Sequence, residues 1–328
     1  MSRVVRIYET GGPEVLRVEE SPTPEPGPGE ALIRQRVVGV NFIDTYHRSG
    51  LYPLPKLPSG IGMEAVGVVE RVGPGVEGVT PGQRVAYVAG PPGSYADERV
   101  MPVERLVPLP DDIDDETVAA VLLKGMSVEA LIRRVYPVRP GQRVLLHAAA
   151  GGFGLLACQW LAHLGASVIA TVGSDEKAAL VRDYGARDVI VYTREDFVAR
   201  VRELTQGRGV PVVYDSVGKA TLAGSLDCLE RRGTLVLFGN ASGQPAPLDL
   251  QLLATKGSLY VTRPVVFDYV ATREELLASA REVFDRVRDG TLRVRIGQRF
   301  DLAEVVAAHR ALESRRTTGS TVLLAQRS

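Results

Sequence analysis

The chain has 328 residues, enough for about two domains of ordinary size. Its composition, 45% hydrophobic and 24% charged, is that of a soluble globular protein. Thirty-nine basic and 39 acidic side chains cancel, which argues against a nucleic-acid partner, since that would need a basic field. No basic-then-apolar segment opens the sequence, and no apolar run approaches the ~20 residues that cross a bilayer. A cytoplasmic protein with no membrane insertion is expected. Cys158 and Cys228, the only two cysteines, sit in apolar helical patterns without a partner at metal-ligand spacing. They read as small buried hydrophobes.

Residues 1 to about 120 read as β-rich. Strands are expected at residues 15–18 (VLRV), 31–38 (ALIRQRVV) and 65–72 (AVGVVERV). Pro/Gly punctuation separates them at 22–29, 73–75 and 91–93. Strands at this spacing suggest a barrel-like β domain.

From about Gly141 strand alternates with helix. Strands are expected at 143–147, 167–172, 188–192, 210–215, 234–238 and 258–262, with helices at 155–164, 176–184, 197–205 and 221–229. Gly165, Gly185 and Gly207 close the first three helices, the usual C-terminal signal. Six short apolar strands with intervening helices argue a parallel, doubly wound sheet. Beyond Pro264 come a long helix opened by the capping box Thr272–Glu275, a strand at 292–296, a helix at 302–314 and a strand at 321–324. This tail is too small for a core of its own and is expected to fold back onto the N-terminal domain.

The stretch VLLHAAAGGFG at 144–154 carries the chemistry. An apolar strand runs into small residues and at once into a helix, the arrangement that seats a dinucleotide pyrophosphate on helix amides. The spacing is Ala149-x-Gly151-x-x-Gly154, with alanine in the first glycine slot; Gly152 and Phe153 lie inside it. A purely structural glycine turn is the competing reading.

The nucleotide follows from the next strand. An NAD-preferring site places Asp or Glu at its tip, about 20 residues after the glycines. This chain has Gly173 and Ser174 there, with Asp175 reading as an early helix residue and Lys177 within a turn. A small pocket and a cation suit a 2′-phosphate, so NADPH is the expected cofactor; a solvated surface lysine is the plainer account of Lys177. Tyr192, ending the third strand, can cover the adenine.

No cysteine cluster or recurring Cys/His/Glu spacing suggests zinc. Of the four histidines, His163 and His309 lie in helices and read as structural. His147 ends the first strand of the alternating region and can reach the pyrophosphate turn.

Several segments together resemble the medium-chain dehydrogenases/reductases, and within them the zinc-free, ζ-crystallin-like NADPH:quinone oxidoreductases. They are GGPEVL (11–16), VNFIDTY (40–46), RSGLY (48–52), GIGME (60–64), HAAAGG (147–152), VYDSVG (213–218) and FGN (238–240). In zinc alcohol dehydrogenases of that superfamily a cysteine ligand falls near Asn41 and a histidine at Met63. Neither Asn41 nor Met63 can serve, which fits the zinc-free branch and removes a Lewis acid. The resemblance implies a Rossmann domain at 124–263 and a GroES-like, β-barrel-type substrate and catalytic domain at 1–123 and 264–328, with the reaction in the cleft between them.

It also implies that Asn41 and Tyr46 lie beside the nicotinamide. An amide and a phenol can hydrogen-bond a substrate oxygen that gains charge, and Tyr46 can donate a proton; a buried Asn–Tyr pair tying a loop is the competing account. Tyr52 walls the pocket. By the same resemblance Lys124 and Ser127 lie near the nicotinamide, and Ser216, Phe238, Gly239, Asn240 and Ser242 line the later strand ends. Arg263 and Arg315 approach the cofactor phosphates, or are ordinary surface residues. The expected activity is direct NADPH-dependent reduction of quinones without metal or flavin. Reduction of activated C=C bonds, in enones, alkenals or enoyl thioesters, is the alternative, and a non-enzymatic nucleotide-binding protein a third. A homodimer is expected through the edge strand 258–262.

Overall fold

In the computed structural model, which describes residues 1–88 and 90–325, the chain divides into two units. One comprises Met1–Leu123, Val270–Phe284 and residues from Val294 onward; the other comprises Lys124–Tyr269 and Asp285–Arg293.

The first unit opens with β1 (Ser2–Ile7) and β2 (Arg17–Ser21), an antiparallel pair. Between them Pro13 seeds a single 3-10 turn, Pro13–Val15. This displaces the strand expected at 15–18, because Pro at the first helical position has φ preset for a helical turn. Then follow β3 (Glu30–Val40), α1 (Phe42–Ser49), β4 (Ser59–Gly60), β5 (Glu64–Val72), β6 (Arg84–Val88), β7 (Glu98–Pro102), β8 (Val107–Pro108) and α2 (Asp115–Glu129).

The second unit is the alternating one. Along the chain come β9 (Arg143–Leu146), α3 (Gly152–His163), β10 (Ser167–Val172), α4 (Asp175–Asp183), β11 (Asp188–Val191), α5 (Phe197–Leu204), β12 (Val210–Asp215), α6 (Leu222–Cys228), β13 (Leu229–Leu237), α7 (Leu250–Thr255) and β14 (Tyr260–Thr262). Its strands form one parallel sheet in the order β11-β10-β9-β12-β13-β14. This is the doubly wound arrangement: the order reverses at β9, so a crevice opens at the carboxyl ends there. The central stretches of the strands, such as VLL in β9, VIA in β10 and LVL in β13, are apolar, as strands covered by helices on both faces are. Leu145, Ile169, Val213 and Leu235 share one buried cluster. Gly165, Gly185 and Gly207 take φ of 78°, 97° and 80° just past their helices, as only glycine does readily.

The tail supplies α8 (Arg273–Arg288), β15 (Ile296–Asp301), α9 (Val305–Glu313) and β16 (Ser320–Leu324). The helix begins with the reciprocal bonds of a capping box, Thr272 N to Glu275 Oε2 and Glu275 N to Thr272 Oγ1. Residues 292–295 are not strand. Leu292 N donates to Arg286 O and Thr291 N to Asp289 Oδ1, so these amides close the helix and cannot join a ladder. Instead β15 pairs with β16, and β16 inserts antiparallel against β3. The resulting sheet runs β15-β16-β3-β5-β6-β8, with β7 also on β3. Leu302 and Leu323 of the tail are fully buried in the same cluster as Ile33, Val38, Tyr87 and Tyr95.

Candidate functional site

The glycine turn expected to seat a pyrophosphate lies between β9 and α3. Ala148 takes the left-handed conformation at φ 53°, so the tight turn falls one residue before the slot usually held by the first glycine. Ala149 in that slot is fully buried, and its N–H donates to Thr171 O. At Gly154 a Cβ would lie 2.5 Å from the Ala149 backbone, so the helix can approach the turn only without a side chain. At Gly151 the only contact would be ordinary, 3.6 Å to Ala148 O. Space above Gly151 is therefore open at the N-cap of α3, where an anion meets free N–H groups. The Phe153 ring tilts against Phe238 at 4.5 Å, joining this turn to the end of β13.

Gly173 and Ser174 follow β10. A Cβ on Gly173 would meet the Tyr192 hydroxyl at 2.9 Å, so the phenol is seated over that glycine. Ser174 caps α4, accepting from Lys177 N at 3.4 Å. Lys177 is half-buried, and burial lowers its ammonium pKa. These features fit the adenosine end of a dinucleotide: a phenol face, a small floor and a partly desolvated cation.

The later strand ends are tied to each other. Asp215, fully buried, accepts from Val217 N, Gly218 N and Thr221 Oγ1 through Oδ1 and from Ser225 Oγ through Oδ2. That carboxylate fixes the turn bearing Ser216. Ser242 Oγ donates to Val217 O and accepts from Ala220 N, which pins one loop to the other. Ala241 N donates to Ser216 O. Arg263 Nη1 reaches Leu237 O and Gly239 O, at 3.1 Å each. Asn240 is buried, whereas Phe238 is half-buried. Lys124 and Ser127 are half-buried, one turn apart on α2.

His147 does not serve the turn. Its Nδ1 pairs with Thr171 Oγ1 and its Nε2 with Ser225 Oγ, and full burial lowers its pKa. It is a neutral core ring, part of the scaffold behind Asp215.

In the first unit Asn41 is the N-cap of α1. Its backbone N–H donates to Asp44 Oδ2 at 2.8 Å. Its amide Nδ2 donates to Glu64 Oε1 at 2.7 Å, and reaches Gly39 O only at 3.5 Å. Glu64 is 1% exposed and its other oxygen accepts from Leu123 N. The strong, charge-assisted bond fixes the amide rotamer and leaves its second N–H weakly held. Asn41 is thus paired with Glu64, with no bond to Tyr46 among those described. Tyr46 is buried on α1, its ring edge-on to Tyr52 at 5.1 Å. Tyr52 N–H donates to Tyr46 O, so the two rings are held by one turn of backbone. Glu64 carries no signal in its neighbours beyond the GIGME segment. Arg315, exposed at φ 60°, follows α9 in the same unit.

Among the described residues no three His, Cys, Asp or Glu side chains gather as a metal site. Met63 is buried at 4% exposure. No helix among them is long and apolar enough to cross a membrane.

Residues 27–111 match the alcohol dehydrogenase GroES-like domain, and residues 152–280 match the family described as zinc-binding dehydrogenase. A quinone oxidoreductase of Pseudomonas aeruginosa is 52% identical over 99% of this chain and 100% of its own. A 2-haloacrylate reductase of a Burkholderia species is 44% identical over 98% of each chain. The solved structure of Escherichia coli quinone oxidoreductase complexed with NADPH superposes with a TM-score of 0.96, at 45% identity over 99% of this chain and 100% of that one. The chain belongs to the medium-chain dehydrogenase/reductase family, in its quinone oxidoreductase branch.

Proposed function

We propose that this protein reduces quinones with NADPH, without metal or flavin. The observation that carries the reading is the full-length likeness to the NADPH-complexed quinone oxidoreductase, joined to a glycine turn that is open at Gly151. NADPH, when bound, supplies the hydride. The 124–263 region is its binding domain: Gly151, Gly152, Phe153 and Gly154 take the pyrophosphate, Gly173, Ser174, Lys177 and Tyr192 the phosphorylated adenosine. Lys124, Ser127, Ser216, Phe238, Gly239, Asn240 and Ser242 shape the nicotinamide end, with Arg263 and Arg315 toward phosphates.

The reaction belongs to the cleft between the domains. There Asn41 and Tyr46 steady the acceptor oxygen as charge develops, and Tyr52 walls the site. The rotamer imposed by Glu64 aims the weakly held N–H of Asn41, so Glu64 acts as a positioning residue. Tyr46 is the proton donor.

Reduction of an activated C=C bond is a second reading, favoured by the likeness to 2-haloacrylate reductase. The test is initial rates against a panel of quinones, enals and haloacrylates with NADPH and with NADH, repeated after chelation and elemental analysis. Quinone turnover with NADPH, indifferent to chelator, is expected. Preference for the C=C acceptors selects the second reading. Binding without any turnover leaves a nucleotide-binding protein, and stoichiometric zinc lost together with activity overturns the metal-free assignment.

The homodimer is proposed through β14. This strand is the sheet's edge among the described residues, and Tyr260 is 61% exposed on it. An open edge of this kind pairs readily with its own copy about a two-fold axis. Light scattering should return twice the 35.3 kDa chain mass, and Val261→Pro should shift it toward the single chain. A monomer at tens of micromolar rejects the interface.

A further inference from the structure

Asp175 and Arg194 stand at the tips of adjacent strands. β10 and β11 are parallel neighbours in register, Val172 opposite Val191, so the residues that follow them lie side by side. Thr193 Oγ1 donates to Gly173 O at 3.2 Å, which clips the tips together. Across this clip Arg194 Nη1 and Nη2 donate to the two Asp175 oxygens, at 2.6 Å each. Asp175 is the first residue of α4, with Ser174 capping before it and Lys177 two residues after. The paired acid Asp175 and two cations therefore ring the place where doubly wound folds hold the adenosine ribose, with a second acid, Glu176, beside them on the Ser174 side chain.

The paired acid is the anomaly. A bare carboxylate there would accept the ribose hydroxyls of NADH and repel a 2′-phosphate. Paired fork to fork with Arg194, its charge is cancelled. Both side chains are more than half exposed, 57% and 66%, and an exposed ion pair adds little to stability. A guanidinium on a phosphate dianion makes two charge-assisted bonds instead. Exchange of partners therefore gains two charge-assisted bonds against the repulsion of the Asp175 carboxylate that it uncovers, and has no driving force without a phosphate.

We propose that Arg194 is a second cofactor-selecting residue, which leaves Asp175 to grip the 2′-phosphate of NADPH, and that Asp175 parks and orients the guanidinium until the phosphate arrives. The inference rests on the NADPH reading above. It makes the 2′-phosphate grip a pair, Lys177 from α4 and Arg194 from the turn after β11.

Calorimetric titration tests it with three probes: NADPH, NADH and adenosine 2′,5′-bisphosphate. Arg194→Ala should weaken NADPH and the bisphosphate at least tenfold, while NADH binding is undiminished or tightened by the uncovered Asp175. Arg194→Lys should recover part of the loss, because it restores the charge without the fork. Asp175→Asn removes the competing carboxylate and should tighten the bisphosphate severalfold. Lys177→Ala is the reference. If it discriminates between the cofactors while Arg194→Ala does not, the inference is wrong and the NADPH reading stands. If the parent protein binds NADH and NADPH alike and Lys177→Ala is indifferent, the NADPH reading itself falls.

Discussion

Gly151→Ala should leave the fold intact and disable nucleotide binding, while Gly154→Ala should do its harm to the fold. The two glycines lie three residues apart in one motif, yet the structure separates their reasons. Gly151 has φ −76° and ψ 172°, backbone any residue adopts. A methyl there meets only Ala148 O, at ordinary contact distance. Nothing inside the chain demands a glycine, whereas the proposed pyrophosphate would, since it would have to reach the α3 amides. The methyl holds that anion off, and a loss of ten- to a hundredfold in NADPH affinity, roughly 1.4–2.7 kcal/mol, is expected. At Gly154 the methyl would fall 2.5 Å from three Ala149 backbone atoms, which cannot step aside as a flexible side chain can. Overpacking of this kind costs roughly 1–3 kcal/mol. Thermal melting and calorimetric titration of both variants check the pair. Equal melting losses, or NADPH binding undisturbed by Gly151→Ala, would reject the assignment of the turn.

That turn was legible because its signal is local: an apolar strand, small residues and an apolar helix within about a dozen positions. The helix-closing glycines were legible for the same reason. Tertiary pairing was not. Asn41 and Glu64 meet across β3 and β5, where Gly39 stands opposite Glu64; that register leaves no trace near either residue. Asp175 reads in sequence as an early helix residue, and it is one, but its partner comes from beyond the next strand. His147 reads as a neighbour of the turn because it ends the strand. Its ring instead points into the sheet's flank, toward Thr171, Ser225 and Phe197. The strand expected at 15–18 begins only at Arg17, after the turn that Pro13 seeds, and that expected at 292–296 begins only at Ile296, because the Leu292 amide closes α8 and the Arg293 amide goes to Gln159 Oε1.

Acid should destabilise the GroES-like unit through His309. The ring is fully buried. Arg48 Nη1 lies 3.1 Å from Nδ1, and Tyr95 Oη lies 3.0 Å from Nε2. A guanidinium only donates, so Nδ1 accepts and the proton is assigned to Nε2. The bonds then run in one direction: Arg48 to His309, His309 to Tyr95, Tyr95 to Asp44 Oδ2 at 2.9 Å. Asp44 in turn holds the Asn41 backbone. Arg48 is itself gripped by Glu313, so it cannot retreat. A second proton on His309 would meet both burial and the Arg48 charge, and its pKa is pushed down to about 3 from 6.5. The unfolded chain therefore takes up this proton first as pH falls. Stability from His309 is fully present above pH 6.5 and is lost as pH drops from there toward 3. Between about pH 7 and pH 4.5 the loss from this one ring is on the order of 2–3 kcal/mol. Burial lowers the pKa of His47 and His147 as well, so their contributions have the same sign. Urea midpoints followed by circular dichroism across this range should fall steeply for the parent. His309→Gln should be less stable at neutral pH, with Arg48 and Tyr95 poorly partnered, yet its acid slope should be shallower by about 1.4 kcal/mol per pH unit between about pH 4 and 6. Parallel slopes in parent and variant would mean that His309 is not the titrating group, and that the chain from Arg48 to Asn41 does not depend on a neutral ring.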